Sequence, residues 1–464
     1  MVSEDILYLS VRELGERIKS RKLSPVELTE SYLARSERLG SRLNAYAMIT
    51  RDLALDEART AEQEIRAGKY RGPLHGIPYA AKDLLAVKGY PTTWGARPFA
   101  GQSFDYDATV IKKLREAGAV LIGKAAMIEL AGGMGYRFAS ASISGPAKNP
   151  WNENCWTCGS SSGSGAVASA GLAAFAIGTE TWGSVLCPSA FCGVSGLRPT
   201  YGRVSRHGAM ALSFSMDKIG VLGRTADDCS LVLERIAGPD PEDPSSLPHA
   251  AYQDQPSQKQ PLRIGWLTNA WTKIQPEIEA ATKAALDVLR SNGAVIAEAQ
   301  LPDGPWEAAA GVVISVEGAA AFEPLIESGR IAELTDPLGK LGGYLSQQIP
   351  ATDYVRALRV RAVLQKKIDE LASRFDVLAA ASLPVTATPL TANLETDLSF
   401  PDPLGGVGNF CGLPAISVPC GFDGKNLPIG IQFVGRALDD HKVIAAARLF
   451  QQHTDWHLKR PPLA

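Results

Sequence analysis

The chain contains no apolar run long enough to cross a bilayer. A spanning helix needs roughly 20 apolar residues, and the longest apolar stretch, near Ala166 to Ile177, falls short. A charge excess is also missing. Lys and Arg number 47 against 49 Asp and Glu, giving a net charge of −2 and a pI near 6.4. A field that weak favours neither nucleic acid nor an anionic membrane, so neither is an expected partner. The opening Met-Val-Ser-Glu-Asp lacks the basic and apolar regions of an export signal. A cytoplasmic location is the expectation that follows.

Cysteine is sparse and odd in number. Seven are present, at 155, 158, 187, 192, 229, 411 and 420. An odd count in a long chain argues against a disulfide framework. Cys155-Trp156-Thr157-Cys158 has the spacing of a redox pair, but it precedes a Gly/Ser loop instead of opening a helix. Reduced, structural thiols are expected there; a thiol oxidoreductase would rest on that pair alone. Cys187 and Cys192 are too far apart for a zinc pair, and no His follows closely. No metal and no cofactor are expected. Six His are present, none beside a GxSxG turn or in a recognisable triad order. The phosphate-loop and dinucleotide glycine patterns are absent as well, which removes most of the case for a phosphate cradle.

What is present is an ordinary globular composition, 45% hydrophobic and 21% charged, enough for a large core. Capping boxes at Ser10-Val11-Arg12-Glu13 and Ser24-Pro25-Val26-Glu27 start two helices. Asp52 to Ala67 reads as a third. Gly76 to Leu85 leads into a buried strand, in which Lys82 and Asp83 point to opposite faces. That separation matters, because a touching Asp would hold the Lys charged. A helix at Ala108–Ala117 and a strand at Ala119–Gly123 continue a β/α rhythm. Pro239 to Gln260 reads as an exposed connector. Beyond it come a strand at Arg263–Leu267, helices at Glu277–Arg290 and Asp353–Leu371, and a strand at Phe375–Ala381.

The chain is organised around Cys158 to Ser184. A Gly/Ser loop, Gly159 to Gly165, precedes the apolar run Ala166–Ile177, which is long enough for about three helical turns. A second small-residue turn, Gly178 to Ser184, follows. A helix between the two turns would let the chain fold back and bring Ser160 and Ser184 together.

These motifs resemble the amidase signature family of serine hydrolases. The quoted residues are Gly159 to Gly165, then Gly178-Thr179-Glu180-Thr181-Trp182-Gly183-Ser184, Pro188, Phe191-Cys192-Gly193, and Gly196 to Ser205. Gly76-Ile77-Pro78 before Lys82 is the third family element, and Gly412 to Pro419 with Leu427 to Gln432 completes the match. The resemblance implies a Ser–Ser–Lys triad: Ser184 as nucleophile, Ser160 as relay and neutral Lys82 as base. It implies a cis Gly159–Ser160 peptide. It also implies an oxyanion hole of backbone N–H groups at Thr181, Trp182, Gly183 and Ser184. The loop Gly132 to Tyr136 corresponds to a pocket wall, so Gly133, Met134 and Tyr136 are candidate substrate contacts; a plain connecting loop is the alternative. Four positions depart from the family pattern: Ser162 for Gly, Glu180 for Asp, Trp182 for a small residue and Leu186 for Arg.

Each implied residue type has a chemical reason. A Lys accepts a proton only when neutral, and its ordinary pKa is about 10.4. Burial lowers it, and a drop of roughly three units costs about 4 kcal/mol. A serine between Lys and nucleophile can both accept and donate a proton. It can later return that proton to a leaving amine.

The resemblance implies an α/β fold with one large mixed sheet covered on both faces by helices. We expect a single domain over 1–464: N-terminal helices at 1–70, the motif-bearing core at 71–238, and a variable substrate-side region with the rest of the sheet at 262–464. The expected reaction is hydrolysis of a linear carbon–nitrogen amide other than a peptide bond, with ester or carbamate possible. Water and a small molecule are the expected partners, and a homodimer is possible. Two other readings remain open. One is the glutaminase component of a tRNA-dependent amidotransferase; the other is a non-catalytic binding protein on the same fold.

Overall fold

The computed structural model describes residues 2–254 and 261–463. Thirteen strands run in chain order: β1 Tyr46–Ile49, β2 Pro78–Lys82, β3 Val120–Ala125, β4 Lys148–Asn149, β5 Asn152–Trp156, β6 Phe175–Glu180, β7 Ser195–Arg198, β8 Lys218–Gly223, β9 Arg263–Leu267, β10 Val295–Ala299, β11 Val377–Ala381, β12 Ala415–Phe422 and β13 Pro428–Val434. Eleven of them form one mixed sheet in the order β1-β3-β2-β6-β8-β7-β12-β13-β11-β9-β10, and β4 and β5 form a separate hairpin. Parallel pairing unites β3, β2 and β6 toward one end, where β1 adds an antiparallel edge, and β11, β9 and β10 at the other; the pairs between run antiparallel. Helices cover both faces. The central strands are buried throughout, which is why they read as continuous apolar runs rather than alternating ones.

The elements read from the sequence appear with small shifts in their ends. Ser10 makes its capping box with Glu13. Ser24 caps its helix through the backbone of Val26 and Glu27, but its hydroxyl bonds Glu62 rather than completing a box with Glu27. Helices span Arg51–Arg66, Thr109–Glu116, Pro276–Ser291 and Ala351–Ala372. Among the described residues no helix is long and apolar enough to cross a membrane.

Two expectations are corrected. The apolar run Ala166–Ile177 is not one helix. A helix covers Ser162–Ser169, the chain turns at Gly171, and the remainder becomes β6. A short apolar run buried on both faces has no period to tell strand from helix. Pairing with β2 and β8 decided it. The segment from Pro239 is also not simply exposed. Asp240 accepts from the Ser205 and Thr109 hydroxyls, and Asp243 accepts from the backbone of Arg206. Ala250 and Tyr252 are buried. Residues 255–260 of that expected connector lie outside the described residues.

Glycine fixes how closely the central helix approaches the sheet. A Cβ on Gly163 would lie 2.3 Å from the Ala45 carbonyl oxygen and 2.4 Å from the Ala126 nitrogen. Any side chain there would push the Ser160 loop off the end of β3.

Candidate active site

Lys82 ends β2, Ser160 lies in the loop before the helix Ser162–Ser169, and Ser184 lies in the turn after β6. β2 and β6 are parallel neighbours, so the ends of both deliver their residues to one place. Lys82 Nζ is 2.7 Å from Ser160 Oγ, and Ser160 Oγ is 3.0 Å from Ser184 Oγ. All three side chains are buried. The Gly159–Ser160 peptide is cis. Lys82 also donates to Thr179 Oγ1 at 2.9 Å, a partner that sequence reasoning missed. The two residues sit on β2 and β6, whose pairing only the sheet reveals.

The electrostatics around Lys82 follow from what does not touch it. Asp83 turns to the other face, as expected, where it pairs with Lys124 at 2.9 Å and bonds Thr93. Lys82 meets only hydroxyl and carbonyl oxygens. Burial pushes its pKa down to about 7, against the smaller opposing pull of Asp217 and Glu180.

The turn bearing Ser184 is held from below. Glu180 accepts from the backbone N–H of Val185 at 2.8 Å and of Leu186 at 3.0 Å, where the helix Leu186–Cys192 begins. Its other oxygen pairs with Arg198 at 2.7 Å, with both side chains buried. Burial pushes the Glu180 carboxyl up, but Arg198 and Lys218 together outweigh it and hold it below the usual range. Glu in place of Asp supplies the reach for this double duty. Thr181 Oγ1 donates to Asp217 at 2.5 Å, and the Thr181 carbonyl faces buried Lys218. Burial pushes the Lys218 ammonium far down and the Asp217 carboxyl up.

Gly183 has φ of +74°, and a Cβ there would meet only Cys187 Cβ, at 3.9 Å. Backbone conformation, not space, therefore demands glycine. Among the described residues no backbone carbonyl accepts from the N–H of Trp182, Gly183 or Ser184. The Trp182 indole N–H donates to Asp402 at 2.8 Å, and its ring lies over Gly406. Burial raises the Asp402 carboxyl to about 6. Leu186 is buried in an apolar cluster beside Met216 and Trp306.

The candidate substrate contacts are Gly133, Met134 and Tyr136. Met134 is buried, and Gly133 packs against Leu212 and Phe322. Tyr136 packs edge-on to Trp156, with ring centroids 6.1 Å apart, and Trp156 in turn abuts Gly159. Tyr136 thus reaches the loop bearing Ser160 through Trp156, while Gly133 and Met134 pack toward Leu212, Phe322 and Gly342.

The expectation of reduced thiols is overturned at two positions. Cys158 and Cys187 form a disulfide, with Cα atoms 5.9 Å apart. Cys155 stays free and buried, so the CxxC spacing pairs with nothing. An odd count speaks against a framework of bridges, not against one pair that the fold brings together.

Comparisons with known proteins agree with this architecture. The model of the family described as Amidase matches residues 27–444. A glutamyl-tRNA(Gln) amidotransferase subunit of Chloroflexus aggregans is 36% identical, aligned over 99% of each chain. Its counterpart in Aromatoleum aromaticum is 36% identical over 99% of this chain and all of its own. The native peptide amidase from Stenotrophomonas maltophilia superposes with a TM-score of 0.86 at 31% identity, covering 98% of both chains. With its motifs, sheet and full-length matches in accord, the chain belongs to the amidase family.

Proposed function

We propose that the protein hydrolyses a linear carboxamide through an acyl-enzyme on Ser184, with Ser160 as relay and Lys82 as base. One observation carries this reading. Lys82 is fully buried without a carboxylate in contact, two short steps from Ser184. A neutral Lys82 takes the Ser160 proton while Ser160 takes that of Ser184. The Ser184 oxygen attacks the amide carbon. Negative charge then develops on the carbonyl oxygen, and the N–H groups of the Thr181–Ser184 turn are the donors assigned to it. The relay runs backward to protonate the leaving nitrogen, which departs as ammonia or amine. Water then repeats the attack on the acyl–Ser184 ester and frees the acid. Ester and carbamate substrates fit the same steps.

The relatives favour a second reading, in which the amide is glutamine and the ammonia goes to a tRNA-bound acceptor. Its support is the 35–36% identity to glutamyl-tRNA(Gln) amidotransferase subunits along nearly the whole chain. On that reading partner chains are required, and tRNA becomes a partner of the assembly. A net charge of −2 is compatible with a local basic face, so on this reading the expectation of no nucleic-acid partner falls.

The test is ammonia or amine release from glutamine, primary carboxamides, anilides, esters and carbamates, with the purified chain alone and with amidotransferase partner chains. Ser184→Ala, Ser160→Ala and Lys82→Ala should each lose about 10²–10⁴ of kcat while staying folded, and double variants should lose little more. Near-normal turnover by Lys82→Ala at neutral pH would remove Lys82 as base. Glutamine turnover that appears only with partner chains selects the second reading.

A further inference from the structure

The bond between Cys158 and Cys187 has no part in the chemistry above, yet it spans the two loops on which that chemistry depends. Cys158 lies two residues before Ser160, and Cys187 three residues after Ser184. Noncovalent ties hold each loop mainly to its own neighbourhood. The Ser160 carbonyl accepts from Ile128 N–H at 3.1 Å, beyond the end of β3. The Ser184 turn hangs on Glu180 and on a bond from Cys187 N–H to the Gly183 carbonyl. Ser161 Oγ crosses between them, but it reaches β6 at Thr179, upstream of the turn. Downstream of Ser184, Cys192 Sγ donates to the Thr157 carbonyl at 3.8 Å and the Asn149 side chain bridges the Trp156 and Phe191 carbonyls, so the disulfide is the covalent tie beside weaker ones.

We propose that the Cys158–Cys187 disulfide is a positioning device for hydrolysis, fixing the relay Ser160 against the nucleophile Ser184. Cys158 supports this in its backbone. It has φ of +64°, a left-handed conformation that a residue with a side chain seldom adopts. The cross-link pins it there, directly before the Gly159–Ser160 peptide. Cys187 is partly exposed, so a small thiol can reach the bond. A dithiol such as dithiothreitol delivers two electrons and two protons. The S–S bond breaks, thiols form on Cys158 and Cys187, and the reductant closes to its own cyclic disulfide. The Ser160–Ser184 contact is then held by noncovalent contacts alone.

This inference rests on the hydrolytic reading, and the experiment separates the two. The native chain is treated with dithiothreitol, the new thiols are alkylated, and mass mapping distinguishes Cys158 and Cys187 from the five buried free cysteines. Amide turnover, circular dichroism and the rate of fluorophosphonate labelling at Ser184 are followed together. With both thiols open and the fold intact, kcat should fall about tenfold or more, since a misplacement of about 1 Å can cost on the order of 10²-fold. KM should move less than about twofold, because the loss lies in the chemical step. Reoxidation before alkylation should restore kcat. The Cys158→Ala/Cys187→Ala variant should have the same low kcat and ignore the reductant. Full kcat in the mapped, reduced protein would overturn the proposal. So would unfolding on reduction, which would make the bond a plain stabilising cross-link. If the oxidised protein cleaves no carboxamide, the hydrolytic reading fails instead. The labelling rate of Ser184, oxidised against reduced, then still decides whether the bond positions the serines.

Discussion

The role proposed for Lys82 as base depends on its charge being costly where it sits. Its pKa near 7 comes from burial, and the distant carboxylates of Asp217 and Glu180 do not cancel that. The protonated form cannot accept from Ser160, so kcat/KM should rise through about pH 7 and level off above it. A flat or acid-optimal profile would argue for another base. The same shift fixes a stability effect of opposite benefit. The unfolded Lys titrates near 10.5, and the folded one near 7. Below the folded value the native state carries the whole cost of a buried charge, on the order of 4 kcal/mol. That cost fades as pH rises through the window and is gone above the unfolded value. Lys82→Met should therefore be inactive yet more stable than the native chain at about pH 6, by about 1–3 kcal/mol after the lost hydroxyl contacts are counted. Urea melts of the two proteins measure it, and a destabilised Met variant would contradict the burial argument.

At the scale of elements, the nucleophile turn is a connection between β6 and a short helix, and Glu180 closes both ends of it. The carboxylate satisfies two N–H groups at the helix start and neutralises buried Arg198. Glu180→Gln keeps the reach but not the charge. It leaves Arg198 uncompensated beside Lys218, a class of defect that costs about 3–5 kcal/mol. We expect a loss of that order in denaturant melts. A parallel fall in kcat should follow, as the turn that carries Ser184 loosens. A melt within about 1 kcal/mol of wild type would mean that Arg198 finds other compensation, of which the Leu413 carbonyl is the nearest source.

Over the whole molecule, the two halves share one sheet. β7 pairs with β12 through Arg198–Ala415, Leu197–Ile416 and Gly196–Ser417. The buried Arg203–Asp440 pair, at 2.8 Å, and Arg448 with Asp227 and Asp254 add ties between distant parts of the chain. A single domain is the reading this favours. Calorimetry should then give one transition, and limited proteolysis no stable half. Two resolved transitions would divide the chain near the segment that includes residues 255–260.

The sequence by itself picked out the candidate catalytic residues. Gly/Ser loops, the Lys after Gly-Ile-Pro and the turn at Ser184 are local patterns, and residue types at fixed spacing survive without knowledge of the fold. The divergence of Lys82 and Asp83 was legible for the same reason, since alternation along a strand is local. The split of Ala166–Ile177 into helix and strand was not, because a segment buried on all sides carries no period. Nor were Thr179 beside Lys82, Arg198 beneath Glu180, or Trp182 turned onto Asp402. Each is a contact between strands or helices whose order in the sheet differs from their order in the chain. The Cys158–Cys187 bond is the plainest case. Sequence spacing led to an expectation of reduced thiols at Cys155 and Cys158, and only the return of the chain through β6 put Cys187 within reach of Cys158.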